Sequence, residues 1–541
     1  MVAVQHDTQP AEQDERVLDA VVLGAGVTGI HQLHRLREDG LDVIAIDAAS
    51  GVGGTWFWNR YPGARVDSES YSYQYFFSKD LLEEWNWTEH FAGQPENERY
   101  VNHVVDKFGL RDRILLDTTI AAATWIPGSE VWELRSVDGR AFRTKFLVTA
   151  VGFLSDPQYP QTPGQDAFAG ESYHTGVWPV GGVDFTGKRV AVIGTGSSGV
   201  QLIQSINEDV ASMTVFQRTP NWATPLNNEP ISAEELADIK ARYDEIYAST
   251  QNPGGFVHNF PETFAAEHTP EQRREFWEDL WTKRGFATLF GNYPEVSVSV
   301  EVNQEFADFI AEKVRDRVDD PEIAAKLIPT DHGYAFKRPP METNYYEVYN
   351  QDNVELVDVR ENPILEITET GIKTQQGDYE LDMIVYATGF DVGTGSFTKI
   401  DFTGIGGEKL KEQWANGPVT RMGMFAPGFP NMLMVGGVQA LVGNIPRTTE
   451  HQVEFVAHLM EHMRNEGLEH VEVTREAADE WVQHLAESVV GTIFDGANSW
   501  LWGSNTPGKA RSFLLYAGGL LAYNEWLEKT ETNGYEGLEL R

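Results

Sequence analysis

Three groups of residues in this chain of 541 could do chemistry. Two are glycine-rich turns, Gly24-Ala25-Gly26-Val27-Thr28-Gly29 and Gly194-Thr195-Gly196-Ser197-Ser198-Gly199. Glycines at this spacing let backbone N–H groups approach a pyrophosphate at a helix N-terminus. The third is Lys337-Arg338, two adjacent cations followed by Pro339 and Pro340. Its plain alternative is a solvated basic turn. Two further charges, Arg65 and Asp67, sit in the aromatic stretch that begins at Thr55-Trp56-Phe57-Trp58. A buried charge is costly unless it is paired, which sets these two apart from the packing around them.

The elements that must position these groups follow from periodicity. Leu18 to Leu23 reads as a buried strand that leads into the first turn. A helical pattern follows, and Val43-Ile44-Ala45-Ile46 makes a second strand that ends at Asp47, an acid placed to accept hydrogen bonds from a ribose. Val190-Ala191-Val192-Ile193 leads into the second turn in the same way. There the next strand, Met213 to Phe216, ends in Gln217-Arg218-Thr219. An arginine at that point accommodates a 2′-phosphate, so the second unit is expected to take NADPH rather than NADH. Lys145–Gly152 and Met383–Asp391 read as related strands, each carrying Ala-[Thr/Val]-Gly. Residues 226–334 break the alternation of strand and helix. Ser232-Ala233-Glu234-Glu235 is a capping box there, ahead of a helix through Leu236, Ile239 and Tyr243. A further helix is expected from about Thr448 to Asn465. The fold class is therefore α/β, with two dinucleotide-binding (Rossmann-like) domains and a mostly helical insertion.

Composition narrows the function. Lys and Arg number 42 against 82 Asp and Glu, a net charge of −40. Nucleic acid and anionic membrane surfaces are unlikely partners for such a chain. There are no cysteines, which excludes disulfides, thiolate metal sites and a redox-active cysteine pair. No metal site is expected. No run of eighteen apolar residues appears, and the polar N-terminus lacks a signal core, so the expected compartment is the cytoplasm. Two nucleotide sites without a cysteine pair point to a reduced nicotinamide that feeds a flavin, which then meets dioxygen.

Ahead of the second turn lies Phe168-Ala169-Gly170-Glu171-Ser172-Tyr173-His174-Thr175-Gly176-Val177-Trp178-Pro179, which reads as a shaped connector between the two units. Its pattern, F-x-G-x-x-x-H-T-x-x-W-P, resembles the fingerprint of the flavin-type Baeyer–Villiger monooxygenases. Gly53-Gly54-x-Trp56, Tyr61-Pro62-Gly63 and Asp67 match a second fingerprint of that family, and Lys337-Arg338 before Tyr345-Tyr346-Glu347 matches the place of its active-site arginine. The resemblance spans nearly all the chain after residue 17. It departs around residues 435–444, where many members carry a G-P-x-S-P-type loop, and at Phe153, where a smaller or polar side chain is common. Both departures bear on substrate range.

The resemblance implies a monooxygenase that uses FAD and NADPH to insert one atom of O2 beside a ketone carbonyl through a C4a-peroxyflavin, giving an ester or lactone. On it, Arg338 and Asp67 are the catalytic pair: the guanidinium stabilises developing negative charge and the carboxylate orients it. His174 is more a structural or coupling residue than a base. The FAD site would draw on Gly24, Gly26, Gly29, Asp47, Thr55, Trp56, Phe57, Trp58, Asp67, Tyr73, Ile120 and Ile445. The NADP site would draw on Arg65, Thr195, Gly196, Ser197, Ser198, Gly199, Arg218, Thr219, Lys337, Arg338 and Trp500, the last on a mobile loop. The expected domains are a disordered arm at 1–16, an FAD domain at 17–152 and 386–541, an NADP domain at 153–225 and 335–385, and the insertion at 226–334. The partners are a small ketone and O2, with monomer and homodimer both open. An N-hydroxylating flavin monooxygenase, an NADPH oxidase and a non-catalytic redox sensor are the rival readings.

Overall fold

The computed structural model describes residues 16–440, 443–495 and 497–541. The expected N-terminal arm lies, apart from Arg16, outside the described residues.

The first sheet has eight strands. Val17–Leu23 lies inside it, with Ala141–Thr149 on one side and Val43–Ile46, then Ile114–Leu115, on the other, all parallel. Val131–Ser136 and Ile120–Ile126 continue beyond Ala141–Thr149 in antiparallel pairs, and Asp401–Thr403 forms the edge. Met432–Met434 joins the C-terminal end of Ala141–Thr149. Val17–Leu23 is apolar almost throughout because both faces of a parallel sheet are covered. The helix Val27–Glu38 packs on Ile445–Glu466, where Arg35 Nε donates to Glu454 Oε2 at 2.9 Å. That second helix starts and ends slightly beyond the expected 448–465, with Pro446 in its first turn, where a missing N–H costs nothing.

The second sheet has five strands in the order Val354–Asp358, Ser212–Gln217, Arg189–Ile193, Met383–Tyr386, Glu171–His174, all parallel. This corrects the reading of Phe168–Pro179 as a connector. Its middle is the edge strand, in register from Glu171 against Met383 to His174 against Tyr386. Its partner lies more than two hundred residues away, so local composition could not reveal it. Past the strand, Trp178 is buried and its N–H bonds the Trp58 carbonyl at 2.9 Å. The stretch therefore ties the second unit to the aromatic segment of the first.

Within the second sheet's sequence, between Ser212–Gln217 and Val354–Asp358, stand the helices Ala233–Ala241, Tyr243–Ser249, Pro270–Trp281, Val300–Arg317 and Pro321–Leu327. Ser232 caps the first by accepting from the Glu235 N–H at 3.2 Å. The single helix expected through Tyr243 is two, broken at Arg242, whose φ is −113°. Thr269, Ser299 and Asp320 cap three others. The apolar faces of these three share a buried cluster with the second sheet, which Tyr61 and Ala64 of the aromatic segment also enter, while Ile239, Tyr243 and Ile246 of the first two pack with Leu82 in a separate one. Among the described residues no helix is long and apolar enough to cross a membrane, and no group of acids and histidines could hold a metal ion.

Candidate active site

Both glycine turns close on the chain itself. Gly24 has φ +107° and Gly194 +109°, conformations that side chains rarely adopt. A Cβ at Gly24 would lie 2.3 Å from the Ala150 carbonyl oxygen, and one at Gly194 would lie 2.4 Å from that of Ala387. The two Ala-[Thr/Val]-Gly echoes thus form the floors under the two turns. Gly29 and Gly199 fall in the first turns of the helices Val27–Glu38 and Ser197–Ile206. Neither helix has a side-chain cap, so its first N–H groups are available to an anion.

The first turn is roofed. Gly26 forms an isolated bridge with Gly53, and the Gly53 N–H bonds the Ala25 carbonyl at 2.9 Å. The short helix Thr55–Trp58 follows, with Trp56 and Phe57 buried and Thr55 exposed. Asp47 accepts from the Ala25 N–H at 2.6 Å and the Ala49 N–H at 2.8 Å, one on each oxygen. Burial pushes its pKa above the ordinary value, against the pull of those two bonds. Each oxygen keeps a lone pair for a ribose hydroxyl. Tyr73 stands edge-on to Trp56 at 5.9 Å. Ile120 lies in the cluster that contains Ile46, and Ile445 begins the helix Ile445–Glu466. Thr149 Oγ1, at the end of the strand beside this turn, is buried without a protein partner. The roof, the free N–H groups and this orphaned hydroxyl fit a bound flavin nucleotide.

The second turn is open. A Cβ at Gly196 would meet nothing within 4 Å, which leaves room for a pyrophosphate. Thr195 Oγ1 donates to the Thr219 carbonyl at 3.3 Å, and Arg218 is exposed at the end of Ser212–Gln217. Burial holds the Lys337 ammonium below its ordinary value, and the nearby positive charges of Arg218 and Arg360 act the same way against Asp331. Lys337 therefore lies within the electrostatic reach of two other cations, Arg218 and Arg360, and the Arg360 guanidinium bonds Asp358 at 3.0 Å. Nothing in the sequence pattern pointed to Arg360.

Between the turns lies the charged pair. Arg338 Nη2 bonds Asp67 Oδ2, and Nη1 donates to Ser197 Oγ at 2.8 Å. The guanidinium also stands 5.3 Å from the centre of the Phe286 ring. The Asp67 side chain is 4% exposed and that of Arg338 is 42%, so the carboxylate is the buried anchor and the cation faces outward. Burial raises the Asp67 pKa, partly offset by Arg338 and then Arg65. Arg65 itself is held elsewhere: its Nη1 donates to Glu89 Oε2 at 3.0 Å and reaches the Phe91 carbonyl at 3.4 Å. Ser198 is half-buried in the same helix turn, beside Tyr61. Trp500 begins a single 3-10 turn and meets Phe153 edge-on at 6.4 Å. Lys509 pins that loop to Asp391 at 2.5 Å and to the Val392 carbonyl at 2.6 Å. The loop at 435–444 includes two residues, 441 and 442, outside the described ones.

His174 is buried and not placed for proton transfer at this pair. Its Nδ1 accepts from the Gly176 N–H at 2.9 Å and its Nε2 lies 3.3 Å from Thr388 Oγ1. Burial lowers its pKa to about 4, so the ring is neutral near pH 7.

Two partners of the pair escaped the sequence reading, Phe286 and Gln201. Gln201 Nε2 reaches Asp67 Oδ1 at 3.4 Å. It lies four residues after Ser197 on one helix, so the spacing that puts both on one face was present as a signal.

Comparison with known proteins agrees with this geometry. The family model described as pyridine nucleotide-disulphide oxidoreductase matches residues 21–255; the disulphide chemistry is foreign to a chain without cysteine. An acetone monooxygenase (methyl acetate-forming) of Gordonia sp. (strain TY-5) is 43% identical, over 97% of this chain and 99% of its own. Acetone to methyl acetate is oxygen insertion beside a ketone carbonyl. A phenazine N-monooxygenase of Lysobacter antibioticus is 40% identical over 98% of each chain. Among solved structures, OTEMO complexed with FAD and NADP superposes with a TM-score of 0.94 at 40% identity, covering 97% of this chain and 99% of that one. With relatives this similar over nearly its whole length, the chain belongs to the flavin-dependent Baeyer–Villiger monooxygenases.

Proposed function

We propose that Arg338 and Asp67 form the catalytic pair of this enzyme, between an FAD site at the first turn and an NADPH site at the second. The enzyme is an FAD- and NADPH-dependent Baeyer–Villiger monooxygenase. Its overall reaction takes a ketone, O2, NADPH and a proton to an ester or lactone, NADP+ and water. Bound flavin supplies the activation of dioxygen. The observation that carries the assignment is the Arg338 contact set, with Asp67 on one side and Ser197 of the second turn on the other.

Arg338 supplies a fixed positive charge toward the negative charge that develops on the carbonyl oxygen during insertion. The Phe286 ring limits where its guanidinium can lie. Asp67, buried and anchored, sets its direction. Gly24, Gly26, Gly29, Asp47 and the Thr55–Trp58 helix would hold the flavin nucleotide. Gly196, Ser197 and Ser198 would face the second pyrophosphate, and Arg218, Thr219 and Lys337, with Arg360, the 2′-phosphate. We leave Arg65 as a support of Asp67 through charge, since Glu89 holds its guanidinium.

The test is NADPH and oxygen consumption with a panel of ketones, with products identified. One ester or lactone per NADPH is expected for at least one ketone. With amines added to the panel, N-hydroxylated products without ester would favour the N-hydroxylating reading. Peroxide release independent of ketone would mean an NADPH oxidase.

A further inference from the structure

Gln201 stands on the helix Ser197–Ile206 and is 4% exposed. The Tyr61 hydroxyl donates to its Oε1 at 2.8 Å. Its Nε2 donates to the Arg65 carbonyl at 3.2 Å and to Asp67 Oδ1 at 3.4 Å. This orientation is forced, because a flipped amide would set Oε1 against a carbonyl and a carboxylate. Asp67 is thus held on both oxygens, by Arg338 on one and by a neutral amide on the other. Neutrality matters: a cation here would compete with Arg338 for the carboxylate.

The helix backbone is also in direct contact with this loop. Gly63 has φ +82°, and a Cβ on it would lie 2.0 Å from Ser205 Oγ and 2.5 Å from the Gln201 carbonyl oxygen. One turn before Gln201, Ser197 accepts from Arg338 Nη1. A single helix face, the one that opens at the NADPH turn, therefore touches both members of the pair. We propose that Gln201 is a positioning residue: it ties this helix to Asp67 and, through Asp67, fixes Arg338. The proposal rests on the catalytic assignment of Asp67 and Arg338. Its plain rival is that Gln201 merely joins two units.

The experiment uses FAD-loaded protein and the variants Gln201→Met, Gln201→Glu, Asp67→Ala and Gln201→Met with Asp67→Ala. Two quantities are read: ester formed per NADPH oxidised, with a ketone the parent enzyme converts, and the thermal midpoint. Gln201→Met should cut the ester yield roughly tenfold, the scale of one hydrogen bond to a charged group. Gln201→Glu, which sets a carboxylate against Asp67, should lower it further. The midpoint shifts should be non-additive: Gln201→Met still loses its bonds to Tyr61 and the Arg65 carbonyl once Asp67 is gone, and costs less there than in the parent because the bond to Asp67 is already absent. Additive shifts, a normal ester yield in Gln201→Met, or rescue by Gln201→Glu would each overturn the proposal. If Gln201→Met does not fold, Tyr61→Phe removes only the hydroxyl that orients the amide and carries the same cycle with Asp67→Ala. A normal yield in both Asp67→Ala and Arg338→Ala would instead refute the catalytic assignment beneath it.

Discussion

The first glycine turn and the second share one backbone and differ in what surrounds it. Gly24 and Gly194 adopt nearly the same left-handed φ, and each lies against the carbonyl of an alanine just past the end of a neighbouring strand. Gly24 N–H bonds the Ile46 carbonyl at 2.8 Å, and Gly194 N–H that of Phe216 at 3.0 Å. There the likeness ends. Gly26 is roofed by Gly53 and the aromatic helix behind it, while Gly196 faces open space. Asp47 turns inward onto two backbone N–H groups, and Arg218 at the matching strand end is exposed. A roofed turn suits a cofactor that stays through many turnovers. An open one with exposed cations suits a cofactor that must exchange.

Substitution at the turns should break this comparison most strongly. Gly24→Ala forces a side chain into a disallowed φ and onto the Ala150 carbonyl, and the purified protein should lose its bound FAD and yellow colour. Gly196→Ala meets nothing, so FAD retention should persist and the thermal midpoint should move by no more than about 2 °C, the scale of a neutral surface change. It should still raise the KM for NADPH, because the new methyl group occupies the space left for the pyrophosphate. Loss of FAD from Gly196→Ala would show that the two turns are not independent.

A smaller effect sharpens the cation side. Arg218→Ala should raise the KM for NADPH by about ten- to a hundredfold, the scale of one charge-assisted hydrogen bond. NADH use should change much less, since it lacks the 2′-phosphate. Equal losses with both would make Arg218 a structural residue.

How much of this could be read from the chain follows from how local each feature is. The turns, Asp47 and Arg218 were legible because strand, glycines and strand-end residue lie within about thirty residues of one another, as in any βαβ unit. The Ser232 cap was legible for the same reason, although only the serine half of the expected capping box forms. The edge strand Glu171–His174 was not, since a polar four-residue segment becomes a strand only through Met383–Tyr386. The Arg338–Asp67 pair could be inferred only by resemblance, because its members are 271 residues apart. Phe286 and Arg360 reach the site from segments that carry no motif. The break at Arg242 was hidden because both halves keep helical spacing.

The central claim is that Arg338 supplies the charge on which oxygen insertion depends, apart from cofactor binding. Rapid mixing of Arg338→Ala with NADPH, followed by product analysis in oxygenated buffer with a converted ketone, tests it directly. Flavin reduction should still be observed, because both glycine turns are intact. Ester formation should fall by at least about a hundredfold, the scale of one preorganised donor. Arg338→Lys should rescue poorly, since an ammonium cannot span Asp67 and Ser197 as the planar fork does. Near-normal ester formation by Arg338→Ala would contradict the account and turn attention to Lys337 or Arg65.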